Sequence, residues 1–311
     1  MTSVTLAAHP NPPLTHFTLD IVRPTADGAF WTLIERLYEH IPSLNDLGVS
    51  LSTVAYPQTT IPSPADGEPE ALRALLTLRG FVVGEETTSL RSALTELEDS
   101  WRAGSKNATL SAPTNLRFNV TTSPSITSFY IHTLTGQDMG GASTVVGSRL
   151  VSRAFISSPH GPSSIADVFS KIQLSPDEAV SGNMIGGGAV AENRESVDSA
   201  VHPAWRTALL HMMIVRGWAP GTPKSRQRDI QEEVTRVQVP LLKGLVLDGE
   251  VMGAYLNEAD GAEPEFQEAF WGSNYGRLLE VKRRWDPKGV FIVRRGVGSE
   301  EWDEEGMCRG A

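Results

Sequence analysis

Between residues 17 and 41 the hydrophobic period of this chain changes, and that change limits the folds open to it. Phe17, Leu19 and Ile21 alternate with Thr18 and Asp20, the two-residue period of a strand with one buried face. Phe30, Leu33, Ile34, Leu37 and Ile41 then recur at three- and four-residue steps, the period of an amphipathic helix, which Pro42 is expected to stop. A sheet with one apolar face needs a second layer, and helices with an apolar stripe supply it. The alternation repeats downstream. Val49 and Leu51 alternate with Ser50 and Ser52, Leu75 to Val83 reads as a strand, and Leu90, Leu94, Leu97 and Trp101 mark a second amphipathic helix. This strand–helix–strand–strand–helix order predicts an α+β fold, an antiparallel β-sheet with helices on one face.

The remaining segments are less regular. Val4 to Ala7 reads as a short opening strand, ended by the proline-rich His9–Pro13. Residues 57–70 and 104–125, rich in Pro, Ser, Thr and Asn, read as loops. Val145–Arg153 leads into a helix around Ile165–Ile172. Gly182–Val190 and Ala208–Val215 read as central strands separated by the polar loop Glu192–Ala204. Arg226–Val239 reads as a solvent-facing helix, and Val251–Asn257 as a further strand.

Composition excludes several functions. The formal net charge of −10 and pI near 5.2 oppose binding to a nucleic-acid backbone, so Lys282-Arg283-Arg284 reads as a solvated helix face. No apolar run is long enough to span a membrane, and the start MTSVTLAAHPNPP has no signal-peptide pattern, so the chain as it stands reads as cytoplasmic. A single cysteine, Cys308, rules out an internal disulfide and any multi-cysteine metal site. The triplets at Asn107 and Asn119 match the glycosylation pattern, which means little without a secretion signal.

Motifs for familiar chemistry are missing. Gly186-Gly187-Gly188 has the context of neither a dinucleotide fingerprint nor a P-loop; glycines within a strand mark a bulge more often than a ligand platform. The seven histidines lack metal spacing, and no nucleophile elbow occurs. His211, inside an apolar strand, reads first as a hydrogen-bonded core residue. Tyr130, His132, Arg149, Asn183 and His211 are candidates to line a substrate pocket on one sheet face, although spacing alone leaves a structural role open for each.

The C-terminal segment carries the densest pattern. Ser273 can cap a helix whose apolar positions Tyr275, Leu278, Leu279, Val281 and Trp285 fall at helical spacing. Asp286-Pro287-Lys288-Gly289 suits a type I turn, and Val290–Val293 reads as a buried strand. Together with Tyr255-Leu-Asn257, Asp260, Asn274-Tyr275, Arg277-Leu278, Lys282 and the Gly296–Trp302 stretch, this segment resembles the berberine bridge enzyme-like FAD-linked oxidases, fungal members above all. Ser148-Arg149-Leu150, the glycines before Glu195-Ser196, and His202-Pro-Ala-Trp-Arg206 resemble landmarks of that family's substrate domain.

The resemblance implies a division of the chain. Residues 1–10 would be a strand leaving a flavin-binding module, 11–245 the substrate domain, and 246–311 a strand–helix–strand segment packing back on that module. Asn274 and Tyr275 would lie at the flavin side of the cleft. The expected cofactor is FAD and the expected partners are a small-molecule substrate and a flavin-binding half, whose glycine-rich region and flavin-attaching His and Cys have no counterpart here. Where plant members place a catalytic glutamate this chain has Ala179–Ile185, with no carboxylate, and Asn183 is no general base at ordinary pH. The implied function is that of an FAD-linked oxidoreductase of fungal specialised metabolism. The alternatives are a flavin-free cyclase, isomerase or binding protein derived from the substrate domain, or an inactive truncated product.

Overall fold

The computed structural model describes residues 3, 5–6, 8–61, 71–106, 115–134, 143–193, 197–303 and 306–310, with the side chains of 103–106 and 134 left aside. Strand β1 (Leu14–Arg23) leads through helix α1 (Gly28–Asp46) to β2 (Ser50–Ile61) and β3 (Ala71–Val83). Helix α2 (Thr88–Lys106) precedes β4 (Asn115–Ser123), and the short α3 (Ile126–Phe129) continues as a π-turn over Tyr130–Leu134. Then follow β5 (Thr144–Ser152), α4 (Arg153–Ile156), α5 (Gly161–Lys171), β6 (Ala179–Met184), α6 (Gly188–Glu192) and β7 (Ala208–Gly217). The C-terminal part is helical and irregular: α7 (Lys224–Glu233), α8 (Val239–Lys243), α9 (Phe266–Trp271) and α10 (Tyr275–Trp285).

The strands form one seven-stranded sheet in the order β4-β1-β3-β2-β6-β7-β5, antiparallel at every pairing. This is the α+β layer arrangement that the change of period predicts. Residues directly opposite in antiparallel strands share a face, so the register sorts the sheet into rows. One row, Phe118-Leu19-Leu78-Thr53-Gly182-Met212-Arg149, crosses all seven strands. Leu19, Leu78 and Met212 from it join Phe30, Leu33, Ile34 and Leu37 of α1 and Leu94, Leu97 and Trp101 of α2 in the main core. Gly80 admits the Phe17 ring: a Cβ there would lie 2.3 Å from a ring carbon. The Trp101 indole donates to the Leu33 carbonyl at 3.1 Å, fastening α2 to α1.

Helix α1 begins at Asp27, whose carboxylate accepts from the Phe30 amide and pairs with buried Arg23. It does not stop at Pro42. Ile41 and Leu44 extend its buried stripe, and burial outweighs the hydrogen bond that proline forfeits. Other expectations also give way. Residues 57–61 belong to β2, and of the expected loop 104–125 the first three residues end α2 and 115–123 form β4; residues 62–70 and 107–114 lie outside the described residues. Of the expected opening strand, Val4 and Ala7 lie outside them too, and Leu6 is exposed without strand structure.

The C-terminal helix forms, but its flanks are not strands. Residues 251–255 are irregular, Leu256–Glu258 is a 3-10 turn, and Val290, Phe291 and Val293 are exposed rather than buried. Ser273 lies within a 3-10 turn, so Asn274 takes the cap position. Helix α10 buries no residue within this chain, which leaves Val281 and Trp285 at the surface. Nor is the 226–239 helix wholly solvent-facing: Ile230, Val234 and Val239 pack against Val145.

Candidate functional site

The row next to the core row reads Asn119-Thr18-Arg79-Ser52-Asn183-His211-Leu150 and faces the other way. The row beyond it on that same open face is Arg117-Asp20-Thr77-Val54-Ser181-Met213-Ser148. The long helices cover the opposite face, and this one carries hydrogen-bonding groups. Arg79 pairs with Asp20 at 2.9 Å, and Thr77 donates to the same carboxylate at 2.8 Å. The Ser52 hydroxyl donates to Asn183 Oδ1 at 2.6 Å.

His211 stands at the centre of the β6–β7–β5 part of this face, directly opposite Asn183. A strap from the C-terminal segment closes over it. The Leu150 amide donates to the Gly253 carbonyl at 2.8 Å, so the strap runs along the outer edge of β5. Tyr255 then meets His211 and Trp205 edge-to-face, with ring centroids 5.9 Å and 5.5 Å apart. Glu258 Oε2 lies 3.3 Å from His211 Nδ1, while Nε2 is buried without a hydrogen-bond partner among the described residues. Burial pushes the ring down to about 4, so it is neutral at pH 7. The Glu258 carboxylate favours the charged ring, but it is half exposed and screened by water, so desolvation dominates.

The pocket candidates separate. Asn183 and His211 are neighbours on the open face. Arg149 is one residue out of step with that row and projects into the helical side, where it bonds Glu263 at 2.5 Å with both side chains buried. Its role is to anchor the strap. Tyr130 and His132 lie in the turn after α3, at the β1–β3 part of the sheet and away from β6 and β7; the ring of Phe129 packs on His16 and Phe81, and the His132 Nδ1–H donates to the Ser128 carbonyl. The five therefore do not line one pocket. Ser52, Trp205, Tyr255 and Glu258 join the site instead. The Ser50/Ser52 alternation signals the face of β2, but no local pattern signals what the strap covers.

The implied cofactor residues are tied up within the chain. Asn274 Nδ2 donates to the carbonyls of Val201 at 2.7 Å and Ser199 at 3.4 Å, holding the loop before Trp205. Tyr275 donates to Glu300 at 2.6 Å and accepts from the Gly298 amide; burial and the neighbouring carboxylate push its hydroxyl up to about 12. His202, another family landmark, is fully satisfied: Nδ1 accepts from the Ala204 amide and Nε2–H donates to the Glu268 carbonyl, each at 3.0 Å. Burial holds it neutral as well.

A pyrophosphate has no cradle at the triglycine. A Cβ on Gly186 would lie 1.9 Å from the Ala208 carbonyl oxygen, and one on Gly187 would lie 2.2 Å from Asn45 Oδ1. Their backbones face protein at the end of β6, which is close packing rather than a bulge or a ligand platform. At the triglycine the residues present do not fit the phosphates of FAD.

Comparison with known proteins gives this half-site its setting. With 97% of its length superposed, the chain resembles the VAO-type flavoprotein MtVAO713 from Myceliophthora thermophila C1 at a TM-score of 0.79 and 23% identity, covering 51% of that chain. A structure of berberine bridge enzyme matches at a TM-score of 0.56 and 14% identity, with 91% of this chain and 55% of that one covered. These likenesses establish the fold as that of part of a VAO-type protein. In sequence, residues 254–298 match the family model described as berberine and berberine like. The chain is 34% identical to the FAD-linked oxidoreductase malF of Malbranchea aurantiaca, with 99% of this chain and 48% of that protein aligned. It is 33% identical to an uncharacterized FAD-linked oxidoreductase of Arthroderma benhamiae, with 99% and 50% aligned. The chain belongs to the berberine bridge enzyme-like FAD-linked oxidoreductases, and it spans about half the length of the curated relatives it matches.

Proposed function

We propose that this chain is the substrate-binding half of an FAD-linked oxidoreductase of fungal specialised metabolism, working against a flavin-binding module. The observation that carries the reading is the two-faced sheet. Helices seal one face, whereas the other presents Ser52, Asn183 and His211 under an aromatic strap, the form of a cleft floor. Residues 11–245 form the substrate domain in this reading, 246–311 the segment that docks on the flavin module, and 1–10 the connection to it. FAD, held by that module, supplies the capacity to accept a hydride from a substrate carbon. This half seats the small molecule and keeps water from the reacting face.

A docking surface supports the same reading. Trp285 and Phe291 are 76% and 78% exposed, and Val290 and Val293 lie near them beyond the C-terminal end of α10. Asp286 fixes this turn by accepting from the Val290 and Phe291 amides and pairing with Lys282, whose ammonium also meets the Phe291 carbonyl. A rigid apolar knuckle of this kind marks a surface meant to be covered.

Co-expression with the flavin-binding region of the Malbranchea aurantiaca relative tests the proposal. A yellow complex should elute as one species, and Trp285→Asp with Phe291→Asp should separate it into its parts. A chain that purifies alone with stoichiometric FAD, or that turns over substrate without flavin, would sink the reading.

A further inference from the structure

We propose that Asn183 and His211 form a paired donor–acceptor seat that takes the edge of a lactam or other cis-amide, a C=O beside an N–H. This deepens the reading of the open face as the substrate floor and rests on it. Two neighbours fix the polarity of the pair. Ser52 donates to Asn183 Oδ1 at 2.6 Å, which turns the amide so that Nδ2 is its remaining group, a donor. Glu258 lies 3.3 Å from His211 Nδ1, and a carboxylate there selects the tautomer with its proton on Nδ1. Nε2 is then a lone-pair acceptor, and it is the buried atom without a partner among the described residues.

The two side chains are directly opposite across β6 and β7, so their Cβ atoms are about 5 Å apart. A carbonyl on the Asn183 amine and an N–H on the imidazole satisfy both at once. Asn183 is half exposed and gives access, whereas the His211 ring lies under Tyr255, so an occupant must turn that ring aside. An unmatched buried acceptor makes such a seat selective, because a ligand that lacks the N–H leaves Nε2 unpaired. Glu258 acts here as a positioning residue.

The test uses the full chain, labelled with 15N and without flavin, so it does not depend on docking of a flavin module. δ-Valerolactam and its N-methyl derivative are titrated while the His211 ring nitrogens and the Asn183 amide are followed by NMR. The free chain should show Nδ1 protonated. δ-Valerolactam should move both Nε2 and the Asn183 amide, and N-methylation should weaken binding roughly tenfold or more. Glu258→Gln, which keeps an acceptor beside Nδ1, should retain binding, and Glu258→Leu should weaken it. Equal binding of the two lactams, no binding of either, or a proton on Nε2 in the free chain would each overturn the proposal. A failed flavin complex with selective lactam binding would refute only the docking reading.

Discussion

His211 is held neutral by burial, and so is His202, although its bond to the Glu268 carbonyl pulls the other way, so acid acts on both in the same direction. The folded pKa of each lies below its unfolded value of about 6.5, so between those values the unfolded chain binds more protons. Their stabilisation is fully present above about pH 6.5 and is lost as pH falls towards the folded pKa, which for His211 is about 4. At about 1.4 kcal/mol per unit of difference, His211 alone accounts for up to roughly 3 kcal/mol across that window. Urea denaturation at pH 7 and pH 4.5 measures the loss, and His211→Gln should flatten the acid limb relative to the parent. Parallel limbs would mean that burial of this ring is not what the acid opposes. The histidine was legible as a core residue from its apolar strand. Which ring nitrogen stays unpaired was not, because Glu258, which lies beside Nδ1, comes from a segment far away in sequence.

Arg149 shows how much turns on one residue of register. Its spacing from His211 in the chain says nothing of faces, yet Leu150, not Arg149, stands opposite His211, and side chains on a strand alternate. The guanidinium therefore projects among the helices and pairs with Glu263, which together with the Leu150–Gly253 bond clamps the strap to β5. Arg149→Met leaves the buried Glu263 carboxylate with only the longer Lys243 pair at 3.3 Å and should cost up to about 3–5 kcal/mol. Adding Glu263→Leu should restore most of that, because an apolar pair replaces a desolvated ion pair. Equilibrium denaturation of the two variants gives the comparison, and equal stability of single and double variants would count against the clamp. In the core layer, Gly80→Val should destabilise by roughly 1–3 kcal/mol, since the new side chain must displace the Phe17 ring. The same measurement checks it. Elements with their own strong period, β1 and α1 among them, were readable locally. Strand β4 was not: its apolar face, Leu116, Phe118 and Val120, is short and only partly buried at the sheet edge, and it sits inside a Ser-, Thr-, Asn- and Pro-rich stretch that reads as loop.

The whole chain has a sealed core on one side and unshielded apolar groups beyond α10. Replacing Trp285, Phe291 and Val290 with Ser, Ser and Thr should reduce self-association in light scattering while leaving the melting temperature within a few degrees. A large loss of stability would instead place those residues inside this chain's own core. Residues 290–293 were expected to be a buried strand because four apolar residues in succession imply burial, but they do not say against what. Among the described residues no helix is long and apolar enough to cross a membrane. Layer type is legible in the order of residues, since hydrophobic period is a local property set by backbone geometry, and so is the family, since its motifs are contiguous. Contacts made on folding set which side chains share a face, put Arg149 and His211 on opposite sides, and close Tyr255 and Glu258 over the site. Those facts depend on strand register and on contacts between distant segments, which no local window of residues encodes.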